Sequence, residues 1–315
     1  MDLEAQVGQK LTVTEAALQF SISSVFMILI NKYVATVFPY LSLVILIQNI
    51  ITLIFLKLWK PTLKIDHNVA FRWIPCVFLF CINIYSSLLA LSNVSVPTFT
   101  VFRNLQPIIS TLLDVIIRNE STSVNNVICL GVIFFGAYVY AYGQINFDTR
   151  GYTWVMIHVL SMSLYSIAVK YSINSYNLHA YEMSFYNNFM SLFFLLLIVS
   201  FESPMEHTLY NCVEYMPCWT SIMMSGYGAF CISVTGFQAQ EHLSPTSYLT
   251  CNNLSKIPAI ILSYIIWQRQ TSVYEVIGII ISLTGGFLYS LSTRELLHTL
   301  FFWPRHSNEA VEESR

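Results

Sequence analysis

Charge is what this sequence has least of. Asp, Glu, Lys and Arg make up 10% of 315 residues, against about 25% in soluble domains. With 55% hydrophobic residues and a mean hydropathy of +0.60, this excludes a soluble globular chain. The net charge of −2 is too small to attract nucleic acid. Seven cysteines are scattered with no CxxC and no Cys/His cluster, which argues against a metal site. HExxH, GxSxG, a P-loop and paired intramembrane carboxylates are all missing, so neither an enzyme nor a cofactor is expected. A repeated filter motif or charged ring, the mark of a channel, is also missing. Acids are absent from mid-helix positions: Glu15, Glu182, Glu275 and Asp114 all fall near the ends of apolar runs. A proton- or sodium-driven carrier usually buries such groups. His158 is the one histidine well inside a run, and it reads as a packed core residue.

What is present is a series of apolar runs. A membrane helix needs about 20 such residues. Ten runs meet this, over roughly Val13–Lys32, Leu41–Leu58, Val69–Leu91, Pro97–Ile117, Val124–Gly143, Tyr152–Tyr171, Ala180–Ser200, Pro217–Phe237, Pro245–Trp267 and Val273–Leu291. The expected fold is an all-α membrane protein of ten transmembrane helices in two inverted five-helix repeats. The polar start, residues 1–12, and the tail, 293–315, read as cytosolic, with repeats over 13–143 and 144–292. Ten Lys and Arg then fall on the side of the termini and three, Lys32, Arg150 and Arg269, on the other. That is a positive-inside bias with both termini cytosolic. Cys212 lies in the 201–216 connection and Cys218 just past it; they could form a disulfide if that loop faces an oxidising lumen, or stand as two free thiols. Asn93-Val94-Ser95 is a sequon in a very short loop.

A shift of 149 residues lays Asn104–Tyr140 over Asn253–Tyr289. Identities include Asn104/Asn253, Leu105/Leu254, Gly136/Gly285 and Tyr140/Tyr289, and a Pro-Thr pair precedes both copies. At a slightly shorter offset Lys32-Tyr33 pairs with Lys170-Tyr171, and Gln48-Asn49 with Asn187-Asn188. Each repeat holds an odd number of helices, so the second enters the membrane inverted. Inverted repeats are the architecture of alternating-access transporters.

Polar clusters interrupt the runs: Gln48-Asn49, Arg103-Asn104, Phe185-Tyr186-Asn187-Asn188, and Asn252-Asn253 with Ser255 and Lys256. A lysine near a bilayer centre costs roughly 2.5–3.5 kcal/mol on insertion scales and is functional by default. Asn252 and Lys256 share a helix face, with Ser255 beside them. Arg103 and Lys256 suit phosphate. The amides suit a nucleobase edge or sugar hydroxyls, or serve as interhelical glue. Tyr186 suits stacking on a base.

These residues resemble a known family, the nucleotide-sugar transporters of the drug/metabolite transporter superfamily, and within it the GDP-mannose transporter group. The family's FYNN stretch stands as Phe185-Tyr186-Asn187-Asn188, its FKNL-like stretch as Phe102-Arg103-Asn104-Leu105, and its GALNK motif aligns with Asn252-Asn253-Leu254-Ser255-Lys256. The Gly-Ala of GALNK is Asn252-Asn253 here and its Asn is Ser255, which makes the sugar end narrower and more polar. The resemblance implies antiport across the Golgi membrane (or that of the ER), nucleotide-sugar against nucleoside monophosphate, with GDP-sugar ahead of UDP-sugar. It implies that Asn187 and Asn188 read the base and that Lys256 and Arg103 balance phosphate. A homodimer is compatible with it. The competing readings are a sugar-phosphate or triose-phosphate translocator and a non-transporting membrane scaffold.

Overall fold

A computed structural model describes residues 13–292 except 39, 119–121, 145–147, 177, 202–215 and 244. Whether Cys212 and Cys218 pair, and the tail from 293, lie outside the described residues. Eleven helices run in order among the described residues: α1 (Val13–Val37), α2 (Leu41–Trp59), α3 (His67–Asn93), α4 (Val96–Arg103), α5 (Gln106–Arg118), α6 (Val124–Gly143), α7 (Thr149–Tyr176), α8 (Ala180–Phe201), α9 (Met216–His242), α10 (Pro245–Trp267) and α11 (Val273–Ser292). Seven of them, α1, α2, α3, α6, α7, α8 and α11, are long and apolar enough to cross a membrane.

The fourth apolar run differs from its expected form. In place of one helix over Pro97–Ile117, α4 ends at Arg103 and α5 begins at Gln106. Pro107 explains the break. It has no N–H to give the carbonyl four residues back, and its ring crowds that carbonyl. The chain tightens instead: Asn104 N–H reaches Val101 O at 3.1 Å and Leu105 N–H reaches Phe102 O at 2.9 Å. Side-chain caps start the neighbouring helices. Asp66 caps α3, Ser95 caps α4 and Ser123 caps α6, each accepting a first-turn N–H.

The bundle is polar inside and apolar outside. Leu58, Ile116, Phe193 and Ile265 are exposed, while Gln48, Asn49, Asn104, Asn187 and Asn253 are buried. A bilayer rewards that arrangement, and water does not. Two apolar clusters flank the polar interior. One joins Phe99, Ile133, Tyr140, Val159, Ile260 and Ile279, and the other Val34, Phe38, Ile45, Leu195 and Ile222.

Helix contacts come in matched sets. α1 packs on α9 and α3 on α7; α2 packs on α9 and α3 on α8; α2 meets α8, and α6 meets α11. The α6–α11 contact rests on glycines. A Cβ at Gly136 would lie 2.4 Å from Ser282 N, and one at Gly285 2.8 Å from Ile133 N. The 149-residue shift carries Gly136 onto Gly285 and Ile133 onto Ser282, so each contact is the image of the other.

A side chain at these glycines has nowhere to go, because the obstacle is backbone. Gly136→Ala and Gly285→Ala are expected to cost about 1–3 kcal/mol or more, read as a lower melting temperature in detergent. A Cβ at Gly131 meets nothing within 4 Å. Gly131→Ala is therefore expected to be neutral or stabilising by up to about 1 kcal/mol.

Candidate functional site

Eight helices bring polar residues to one place. A central cavity of about 270 Å³ is lined by Asn31 of α1, Gln48 and Asn49 of α2, Asn83 of α3, Arg103 of α4, His158 and Tyr165 of α7, Asn188 of α8, Gln240 of α9 and Tyr248 of α10. No Asp or Glu lines it among the described residues. A smaller void beside it is lined by Arg103, Asn252, Ser255 and Lys256. Arg103 borders both and ties the two into one site.

Lys256 is held by amides. Its ammonium donates to Asn104 Oδ1 at 2.8 Å and to Asn253 Oδ1 at 2.7 Å. Those amides face outward onto consecutive turns of α11: Asn104 Nδ2 donates to Ser282 O at 2.5 Å, and Asn253 Nδ2 to Gly286 O at 2.8 Å. Gly286 makes room, since a Cβ there would sit 2.8 Å from Asn104 Oδ1. Lys256 has three N–H donors, of which these two bonds use two. Arg103 is less satisfied, for its buried Nε has no hydrogen-bond partner among the described residues.

The other sequence candidates divide. Gln48 donates to Asn31 Oδ1 at 3.0 Å and to Ser225 Oγ at 3.1 Å, and Asn49 to Ser191 Oγ at 2.7 Å; both still border the cavity. Asn188 borders it too, its Nδ2 donating to Ser184 O at 2.7 Å. Ser255 gives its hydroxyl to Asn252 O at 2.9 Å. Phe185, Tyr186 and Asn187 do not line the cavity. Asn187 is fully buried, accepting from Trp73 Nε1 at 2.9 Å and donating to Tyr165 Oη at 2.5 Å. Tyr186 Oη accepts Asp66 N–H at 3.0 Å, and Lys57 Nζ stands 4.9 Å over the Phe185 ring.

Asn31 and Asn83 were missed in the sequence, where each is a single amide in an apolar run and no spacing rule marks it. His158 is packed as expected, stacked on Phe99 with centroids 5.0 Å apart, yet it also borders the cavity. The five cysteines described, Cys76, Cys81, Cys129, Cys231 and Cys251, are free thiols.

A second cavity of about 480 Å³ lies at one end, lined by Lys32, Val94, Asp148, Tyr264 and Arg269 among others. Lys32 Nζ bonds Leu91 O at 2.7 Å and Val94 O at 2.9 Å. Leu91 borders the central cavity and Val94 the terminal one, so this clasp stands between them.

Comparison with known proteins places these features. The sequence model of the Triose-phosphate Transporter family matches residues 14–290. The Arabidopsis thaliana GDP-fucose transporter 1 is 23% identical, over 91% of this chain and 88% of that protein. The Arabidopsis GDP-mannose transporter GONST3 is 22% identical over 90% and 79%. The GDP-mannose transporter of Schizosaccharomyces pombe is 23% identical over 87% and 84%. A crystal structure superposes with a TM-score of 0.61 and 15% identity, over 90% of this chain and 99% of that one, a likeness of fold. The family and these relatives are named as transporters, and none as an enzyme.

Two substitutions separate scaffold from site. Asn104→Leu removes one of the two acceptors on the Lys256 ammonium and is expected to cost about 1.5–3 kcal/mol, the worth of a hydrogen bond to a charged group. Asn187→Leu strands Trp73 Nε1 and is expected to cost about 1–3 kcal/mol. Both are read as melting temperatures of purified protein. Stabilisation by added nucleotide is expected to persist in Asn187→Leu, and its loss there would make Asn187 a ligand residue.

Proposed function

Because the chain belongs to the Triose-phosphate Transporter family, we propose that it carries a GDP-sugar across the Golgi membrane in exchange for a nucleoside monophosphate, by alternating access. The observation that carries this reading is the pair of cations, Arg103 and Lys256, beside a cavity with no acidic lining among the described residues. Such a site suits a ligand that brings its own negative charge. A sugar diphosphate nucleotide and a nucleoside monophosphate each carry about two, so their exchange would be nearly electroneutral. Either would satisfy the cations, whereas an empty site would carry two buried unpaired charges through the reorientation, at high cost. That cost couples the two fluxes.

The printed names of the relatives, GDP-fucose and GDP-mannose transporters, support a guanine nucleotide. The matched helix contacts, and the mirror-image glycine contacts of α6 and α11, support two inverted halves divided near residue 143. A pseudo-twofold axis generates such reciprocal pairs. On this reading the broken α4–α5 segment forms a single crossing, giving ten, with both termini cytosolic as the Lys and Arg bias favours.

Counterflow in liposomes containing the purified protein tests this. Preloaded GMP is expected to drive uptake of labelled GMP, while UMP, CMP and inorganic phosphate drive little. Arg103→Ala and Lys256→Ala are each expected to lower exchange at least tenfold in protein that still melts cooperatively. Full exchange in both variants would end the two-cation mechanism. Stimulation by phosphate or triose phosphate alone would move the chain to small phosphates, and no exchange at all would leave a membrane scaffold.

A further inference from the structure

The turn that ends α10 builds a cationic corner outside the central cavity. Gln268 has a φ of 43°, the only positive φ at a non-glycine position among the described residues. A side chain enters that region at a cost, and such positions gather at ligand clamps. Gln268 N–H closes α10 on Tyr264 O at 3.0 Å, and the next residue is Arg269. The guanidinium of Arg269 is fixed by two further elements. Nη1 donates to Ser95 Oγ, the cap of α4, and Nη2 donates to Gln144 Oε1, just past α6, at 3.1 Å.

Lys32 reaches the same corner from α1. Its ammonium bonds Val94 O at 2.9 Å, and Val94 directly precedes Ser95. Two cations thus grip adjoining residues, and both line the terminal cavity of about 480 Å³. Like charges so placed repel, and neutral oxygens do not balance them. Two acids are near. Glu275 stands 3.8 Å from Arg269, but its side chain is 3% exposed and does not line the cavity, whereas that of Arg269 is 32% exposed and does. Asp148 lines the cavity, and its carboxylate accepts the Arg150 N–H at 3.1 Å in the first turn of α7. Donors remain on both cations: one of three on Lys32 and three of five on Arg269 make no hydrogen bond. Tyr264 and Trp267 line the same space.

We propose that the terminal cavity is a second anion site, holding a nucleoside monophosphate by its phosphate on Arg269 and Lys32 before it reaches Arg103 and Lys256. A phosphate monoester brings about two negative charges and three acceptor oxygens. The guanidinium meets them as a planar fork and the ammonium as a point charge. The aromatic side chains suit the flat base. This rests on the exchange reading above and names where the counter-ligand first binds, on the side away from the termini.

Photolabelling of the purified protein with 8-azido-GMP, followed by mass spectrometry of its peptides, tests this. Label is expected on the segment 263–269 as well as on segments lining the central cavity, and unlabelled GMP is expected to suppress both. Arg269→Gln and Lys32→Gln are each expected to lower the terminal label about tenfold relative to the central label, the effect of one hydrogen bond to a charged group. Arg269→Lys, which keeps the charge, is expected to lose less. The double variant Arg103→Ala, Lys256→Ala is expected to keep the terminal label. Both labels come from one preparation, so the folded fraction cancels. Central label with none on 263–269 would overturn the inference and leave the carrier reading standing. So would a ratio unchanged in both Arg269→Gln and Lys32→Gln. Suppression of the terminal label by inorganic phosphate as strongly as by GMP would overturn the assignment to a nucleotide. Absence of GMP-suppressible label at either place would remove the carrier reading and this inference together.

Discussion

The ammonium of Lys256 is the charge around which the interior is arranged. It sits on two amide oxygens, Asn104 Oδ1 and Asn253 Oδ1, and the nitrogens of those amides rest on carbonyls one helical turn apart on α11. Three elements, α4, α10 and α11, are thereby fixed to one point. The choice of partner matters more than the number of bonds. A carboxylate would stabilise a buried lysine better, and would also cancel its charge. Amide oxygens solvate the cation through their dipoles and leave its full charge in place. Arg103 follows the same logic more sharply, with a buried Nε that has no partner among the described residues. The interior thus keeps two positive charges that a packed core would have neutralised.

The family model covering residues 14–290 makes this a transporter interior, and the same physics explains what the sequence could and could not reveal. Helices were legible because a bilayer imposes long apolar runs, and Lys256 was legible because a charge in such a run has to be accounted for. The Asn104/Asn253 match was legible for the same reason, since polar identities stand out where apolar residues align by chance. The break at Asn104 was not read, although Pro107 is plain in the sequence, because the run stays apolar across it. The stretch Phe185–Asn188 shows a different limit. Successive helical residues are turned by about 100°, so four in a row surround the axis and cannot all face one cavity. Asn188 alone borders it, while Asn187 is spent on Trp73 and Tyr165. Asn83 was invisible for the converse reason, as one amide in an apolar run carries no pattern until another helix meets it.

The Lys32 contact with the end of α3 obeys the same rule as the site. The last carbonyls of α3 have no partners along the helix, and the negative end of its dipole gathers there. Lys32 sits on two of them, Leu91 O and Val94 O. The clasp is therefore a cation on neutral acceptors, as Lys256 is. Neutral carbonyls hold the ammonium firmly enough to join α1 to α3, yet a phosphate oxygen is a stronger acceptor than either of them. Cations solvated by dipoles in place of carboxylates thus recur at Lys256 and Lys32, whereas Arg269, in the terminal cavity, has Glu275 beside it.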